Sequence, residues 1–246
     1  MFSGLMSMFA QPLYLLLQVA ALIIALVLHE LSHAVVALNC GDTTAKDAGR
    51  ITLNPLAHLD PFGSVILPLL CMVMGGGAVA FAKPVPYNPF NLKHRKRDEV
   101  LVALAGPASN LLQALVAATL LGICVAFGTA FGWQDTTAGQ AFIYFMGSYL
   151  VINISLMLFN LIPLPPLDGS AIIFPLLNKK AQAIYYTVQS SALPILLIVI
   201  YLMPSVLHID LIGSYIQGVG GVVIDQLLRL ASVIQDLIQP LLMGGR

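Results

Sequence analysis

Charge is what this 246-residue chain has least of: charged residues make up 9% of it, against roughly a quarter in an ordinary soluble domain. Only two glutamates occur, Glu30 and Glu99. Lys and Arg number 11 and balance 11 Asp and Glu, so no basic excess exists to hold nucleic acid. Cysteine is scarce too. Cys40, Cys71 and Cys124 have neither the spacing of a disulfide framework nor that of a thiolate metal site, and read as small apolar residues in or near membrane segments. No Lys or Arg precedes the first apolar run, and no obvious small-residue cleavage site is present. Residues 11–39 are therefore expected to be a retained span and not a leader.

What the chain has instead is apolar length, with 59% hydrophobic residues. Four stretches, about 11–39, 98–128, 138–163 and 181–203, reach the roughly 20 apolar residues that cross a bilayer. The composition predicts an all-α polytopic membrane protein with about four to six transmembrane helices. No repeat or linker divides it, so one membrane domain over 1–246 is expected, with a motif-bearing core about 11–170 and C-terminal helices about 181–241. Residues 65–82 (VILPLLCMVMGGGAVAFA) are apolar but short, and Gly75-Gly76-Gly77 interrupts them. Between 222 and 239, Asp225, Gln226, Arg229, Ser232, Asp236 and Gln239 recur at helical spacing. That stretch is either an amphipathic helix on the membrane or bundle, or a weak span whose polar side faces protein.

Basic residues orient the spans. None occurs in 1–38 or 129–140, whereas 83–97 holds Lys83, Lys93, Arg95, Lys96 and Arg97. Lys46 and Arg50 lie in 39–64, and Lys179 and Lys180 follow the third of the four long stretches. The bias places 39–64, 83–97 and 164–181 on the cytoplasmic side. Residues 65–82 then enter and leave on one face as a re-entrant hairpin, which protein or a water-filled cavity must shelter. If 65–82 span instead, every later helix reverses.

Against this background, VLHELSH at 27–33 stands out. His29-Glu30-Leu31-Ser32-His33 is an H-E-x-x-H motif. On a helix, its two histidines share one face and can reach one ion, and Glu30 lies near enough to take the proton of an attacking water. Ionisable residues inside a membrane span mark a functional site by default; the bland reading is a hydrogen-bonded polar knot between helices. A catalytic zinc site keeps three protein ligands and one open position. Candidates for the third ligand are His58, Asp60, Asp168 and His208. Asp168 closes NLIPLPPLDGS, where Pro163, Pro165 and Pro166 must break the helix ahead of it and Gly169 permits a tight turn. Asn160, inside that span, brings an amide to a place without water.

H-E-L-S-H in the first span, A-G-P-A-S-N at 105–110 and N-L-I-P-L-P-P-L-D-G at 160–169 together resemble the site-2 protease family of intramembrane zinc metalloproteases. The resemblance covers roughly residues 20 to 170 and rests on three separated motifs in order. It implies one Zn2+ held by His29, His33 and Asp168, Glu30 as catalytic base, and Asn160 as a residue that holds substrate or transition state. Asn110 matches the asparagine of the family's G-P-x-x-N and is expected to pack or place helices. Ser170 stands where many members have a second glycine. The implied substrate is a transmembrane or membrane-tethered protein, unwound locally and cut within or at the edge of the lipid bilayer. A minimal core is expected, without the PDZ module or other soluble domain that some members carry.

With these ligands, the first span and the 138–163 span must run in the same direction, which only the hairpin reading of 65–82 allows. The metal then lies toward the cytoplasmic side of a multi-pass cell-membrane protein. Residues 43–53 (TTAKDAGRITL) are either a short membrane-associated edge strand that captures substrate or a plain loop. His58 and Asp60 either bond to the zinc histidines or cap turns around Asn54-Pro55 and Asp60-Pro61. His94 belongs to a basic face at the lipid headgroups, and His208 and Asp210 to the opposite interface. Two rival classes are a membrane zinc or divalent-ion transporter and a catalytically inactive scaffold of the same family. A transporter needs exchangeable ligands from face to face, whereas the polar residues here gather at one end.

Overall fold

The computed structural model describes residues 12–60, 63 and 82–243. Among these residues all regular structure is helical and no strand occurs. The hairpin expected over 65–82 lies, but for its last residue, outside the described residues. Three helices are long and apolar enough to cross a membrane: α1 (Pro12–Asn39), α3 (Arg95–Phe131) and α4 (Thr137–Asn160). A single turn, α2, covers Thr44–Asp47, and α5 covers Asp168–Ile173. Then follow α6 (Lys179–Ser190), α7 (Ala192–Leu197), a π-helical stretch Ile198–Leu207, and α8 (Leu211–Met243).

The packing is that of helices in lipid. Alanines are inside: Ala21, Ala25, Ala34 and Ala37 of α1 and Ala103, Ala114, Ala117, Ala118 and Ala126 of α3 are all buried. Large apolar side chains are outside, including Leu16, Val19 and Ile24 of α1 and Leu112, Leu115 and Val116 of α3. Burying Leu against protein gains little when the alternative is a lipid tail. Small residues on the inner faces let backbones approach and maximise dispersion contacts.

Two expectations change. Residues 43–53 form no strand; 44–47 make a helical turn. Asp42 Oδ1 accepts from the Thr44 amide at 3.1 Å and from the Thr44 hydroxyl at 2.6 Å, and the Thr43 hydroxyl donates to Asp47 at 2.7 Å. Such local side-chain bonds favour a capped turn over an extended ladder. The 181–203 stretch is not one straight span. Lys179–Ser190 and Pro194–Leu207 bend by 73° at the break and make a fourth crossing only if counted together. The first of these carries Lys179, Lys180, Gln182, Thr187 and Gln189, and the apolar run starts only at the break. The Asn178 side chain caps it by accepting from the Ala181 amide at 2.9 Å.

By mutual contacts the chain groups into two compact units. One draws on the described parts of Met1–Ala25, Asn110–Ser155 and Gly218–Arg246. In it, fully buried Asn110 donates through Nδ2 to Oδ1 of fully buried Asn153 at 2.8 Å. Asn153 in turn donates to the Tyr149 carbonyl at 2.9 Å, and the Tyr149 hydroxyl donates to Gln113. This amide layer joins α3 to α4 where no water is at hand. In α8, Ala231 packs with Leu121 and Met146, while Asp225, Gln226, Arg229, Ser232 and Asp236 are exposed. The polar side of the tail therefore faces away from protein.

The other unit comprises Leu26–Ser109 and Leu156–Gln217 and contains every residue of the site described next.

Candidate metal centre

Helical spacing stacks His29 and His33 on one face of α1, with ring centroids 4.8 Å apart. Between them, the Ser32 hydroxyl bonds back to the Leu28 carbonyl at 2.7 Å and stays with its own helix. The two Nε2 atoms are 3.1 Å apart. Asp168 Oδ2 lies 3.2 Å from His29 Nε2 and 3.3 Å from His33 Nε2. Among the described residues this is the one group of three His, Cys, Asp or Glu side chains gathered closely enough to hold an ion.

The triangle has the size that a metal would give it. Ligand bonds of about 2.0–2.1 Å in a tetrahedron place neighbouring donor atoms roughly 3.3 Å apart. Asp168 Oδ2 is buried and has no hydrogen-bond partner, although two imidazole nitrogens are within 3.3 Å. A buried carboxylate oxygen is costly to leave unpaired. Its approach to the nitrogens off the N–H line is what convergence on a shared cation requires.

Two features of chain deliver Asp168. The helix α4 stops at Asn160, the prolines at 163, 165 and 166 prevent its continuation, and α5 restarts with Asp168 as its first residue. Gly169 then packs against the end of α4: a Cβ there would lie 2.3 Å from the Leu161 carbonyl oxygen and 2.6 Å from that of Ile162. The glycine serves close approach here, not the tight turn that its place after proline suggested. Ser170 is buried; its hydroxyl donates to the Leu167 carbonyl at 2.7 Å and lies 3.3 Å from the Tyr185 hydroxyl.

The helix α3 supplies the wall of the site. His33 Nδ1 donates to the Val102 carbonyl at 2.6 Å. A carbonyl only accepts, so the proton is on Nδ1, and in the neutral ring Nε2 presents its lone pair to the ion position. Pro107, inside α3, has no N–H for the Ala103 carbonyl. The Val102 carbonyl, one turn ahead of Gly106, receives the imidazole. Gly106 faces both rings: a Cβ on it would lie 2.4 Å from His33 Nε2 and 2.5 Å from His29 Nε2. Only glycine fits.

Glu30 is positioned separately. Its Oε2 accepts from the Val85 amide at 3.0 Å, in the irregular segment 82–88. Other residues singled out from sequence lie elsewhere. Asn160 donates through Nδ2 to the Leu156 carbonyl at 3.0 Å, one turn back on its own helix. His58 is buried, and its Nε2 donates to the Thr52 carbonyl at 2.9 Å, not to a metal histidine. Asp60 Oδ1 accepts from the Gly63 amide at 2.7 Å, closing a turn. Asn110 belongs to the amide layer. Asp210 accepts from the Gly213 amide at 2.7 Å, and His208 occupies a left-handed backbone position with φ 55°.

Sequence reasoning gave no role to Val102 or Val85 and quoted Gly106 only as part of A-G-P-A-S-N. Gly106 carried a signal, a glycine directly before proline in an otherwise apolar helix. Val102 and Val85 act through backbone atoms, which leave no mark on residue type.

Comparison with known proteins agrees with this geometry. A sequence model of peptidase family M50 matches residues 17–136 and 127–203. The chain is 38% identical over 198 residues to a Bacillus subtilis (strain 168) protein named "Putative zinc metalloprotease YwhC", covering 80% of this chain and 82% of that one. A Mycolicibacterium smegmatis protein named "Putative zinc metalloprotease Rip2" is 34% identical over 171 residues, covering 68% and 60%. Its Mycobacterium tuberculosis (strain ATCC 25618 / H37Rv) namesake is 30% identical over 187 residues, covering 76% and 67%. No solved structure matches significantly.

Proposed function

The chain belongs to peptidase family M50, the site-2 proteases, and from that premise we propose that it hydrolyses peptide bonds of membrane-embedded substrates with one zinc ion held by His29, His33 and Asp168. The convergence of their three donor atoms within 3.3 Å carries this reading. Zinc in such a site lowers the pKa of a water toward about 7 and polarises the scissile carbonyl.

The chain's own residues do the rest. Glu30 takes the proton as water attacks the carbonyl carbon, then delivers it to the leaving amine. The Val85 amide holds one carboxylate oxygen, which leaves the other free to face the water. One N–H of the Asn160 amide is used on Leu156, so its second N–H and its carbonyl remain to bind substrate backbone or the developing oxyanion. Val102 and Gly106 orient the imidazoles and wall the site.

The site sits at the ends of α1 and α4 and near the start of α3. The basic run Lys93–Arg97 leads into that same end of α3, which supports a site toward the cytoplasmic side.

The test uses purified wild type, Glu30→Gln and Asp168→Ala in detergent, with zinc per chain and cleavage of single-span model peptides as readouts. Wild type is expected to hold about one zinc and to cut. Glu30→Gln keeps zinc and does not cut, and Asp168→Ala loses or weakens zinc. Equal cleavage by Glu30→Gln overturns the role given to Glu30. Zinc-loaded wild type that cuts nothing and passes zinc across liposomes overturns the protease reading.

A further inference from the structure

Arg50 is the most unusual buried group outside the metal centre. It is 7% exposed, yet among the described residues it meets no carboxylate. Its Nη2 donates to the Lys83 carbonyl at 2.6 Å and reaches the Pro84 carbonyl at 3.4 Å, and its Nε has no partner. Burying a guanidinium against neutral carbonyls alone costs more than a neutral side chain would. Something other than local stability has to account for it.

The neighbouring chain shows what it holds. Residues 82–88 form a strap without regular structure, and Pro84 and Pro86 remove the donors with which a strap could pair to itself or to a sheet. It is fixed from the side instead. The Lys83 amide donates to the His58 carbonyl at 2.8 Å, the Lys83 carbonyl receives Arg50, and the Asn88 amide donates to Asp42 at 2.7 Å. His58 is itself locked by its ring bond to Thr52. Between these anchors, the Val85 amide points at Glu30 Oε2. Both backbone groups of Lys83 are thus clamped two residues ahead of the amide that touches the carboxylate.

We infer that Arg50 is a positioning residue, with His58 as its backbone counterpart: together they fix the strap so that the Val85 amide aims the Glu30 carboxylate. The inference rests on the protease reading for its kinetic consequence, but the physical link between Arg50, the strap and Glu30 stands apart from it. A lysine keeps the charge, but its shorter, differently shaped side chain has to bring one ammonium nitrogen to the place of Nη2.

The experiment uses the full chain in detergent, zinc-loaded, as wild type, Arg50→Gln, Arg50→Lys and Glu30→Ala. Hydrogen exchange of the 82–88 amides is read beside zinc content, kcat and KM on a single-span peptide. Arg50→Gln is expected to keep about one zinc, to expose the Lys83 and Val85 amides to exchange, and to lose about tenfold to a hundredfold in kcat with KM within about twofold. Arg50→Lys recovers part of both protection and kcat. Glu30→Ala speeds exchange at Val85 while Lys83 stays protected. Wild-type protection and kcat in Arg50→Gln overturn the inference, as does parallel loss of zinc in both Arg50 variants. Unchanged Val85 exchange in Glu30→Ala overturns it even if the Arg50 variants do not fold. If the strap responds as expected but Glu30→Gln still cuts, the protease mechanism fails and the clamp survives.

Discussion

The Val102 carbonyl and the His33 imidazole meet at 2.6 Å, and the proton between them sits on Nδ1. That bond decides which nitrogen would face an ion. In His33→Gln the side chain cannot both bond the Val102 carbonyl through a ring N–H and present a ring nitrogen to the ion position. Zinc affinity is expected to fall by at least about tenfold to a hundredfold, the usual cost of losing even a partner behind a metal ligand. Competition with a chromophoric chelator measures it. Unchanged affinity would mean that His33 is not a ligand.

Gly106→Ala is the sharpest steric test. The added methyl would lie 2.4 Å from His33 Nε2, inside contact distance of both imidazoles. Helix propensity alone favours Ala over Gly by about 1 kcal/mol, so a purely local effect would stabilise. The expected result is a folded protein with little or no bound zinc, read by metal analysis beside thermal unfolding in detergent.

Asn110 and Asn153 share a hydrogen bond in a fully buried setting. Replacing Asn153 by Leu leaves the Asn110 amide short of a partner. A loss of about 1–2 kcal/mol is expected, measurable by unfolding in mixed micelles. The double variant with both replaced by Leu should recover part of it, because neither amide of this pair then faces an apolar side chain.

Asp42 ties the α2 turn to the strap region. Burial pushes its pKa up, but bonds from Thr44, the Asn88 amide and Asn91 outweigh this and hold it below the ordinary carboxylate value. A carboxyl with a depressed folded pKa adds stability above its unfolded value, near about 3.9, and that stability is lost as pH falls through the folded value. Acidification below about pH 4 should therefore loosen the 82–88 segment. Asp42→Asn should be less stable at neutral pH and flatter in its acid dependence. Amide exchange at Asn88 across pH checks the sign.

The histidine pair of the centre was legible because it rests on residue type at short, periodic spacing. Asp168 was one of four candidates for a third ligand, and the resemblance to the site-2 proteases, not spacing, singled it out. The long apolar runs announced α1, α3 and α4 by residue type. What stayed hidden was non-local or averaged. The 181–203 window mixed a polar helix with an apolar one, so its mean concealed the bend at the break. The 43–53 stretch was decided by Asp42 and the two threonines bonding to nearby chain, which competes with strand formation without altering hydropathy. Arg50 looked like one more basic residue of a cytoplasmic loop. Its burial depends on where residues 83 and 84 pass, and no pattern within 39–64 encodes that.

His33 and Asp168 stand in opposite halves of the chain, and the aspartate arrives only after α3 and α4 have been threaded. During synthesis the two histidines enter the bilayer long before their third partner exists. The nascent chain therefore cannot complete its metal site until both later helices have inserted the right way round. A protein with one helix inverted would carry the same motifs without bringing the three donor atoms together. On the reading proposed above, the three donor atoms come together only once α3 and α4 have both been placed.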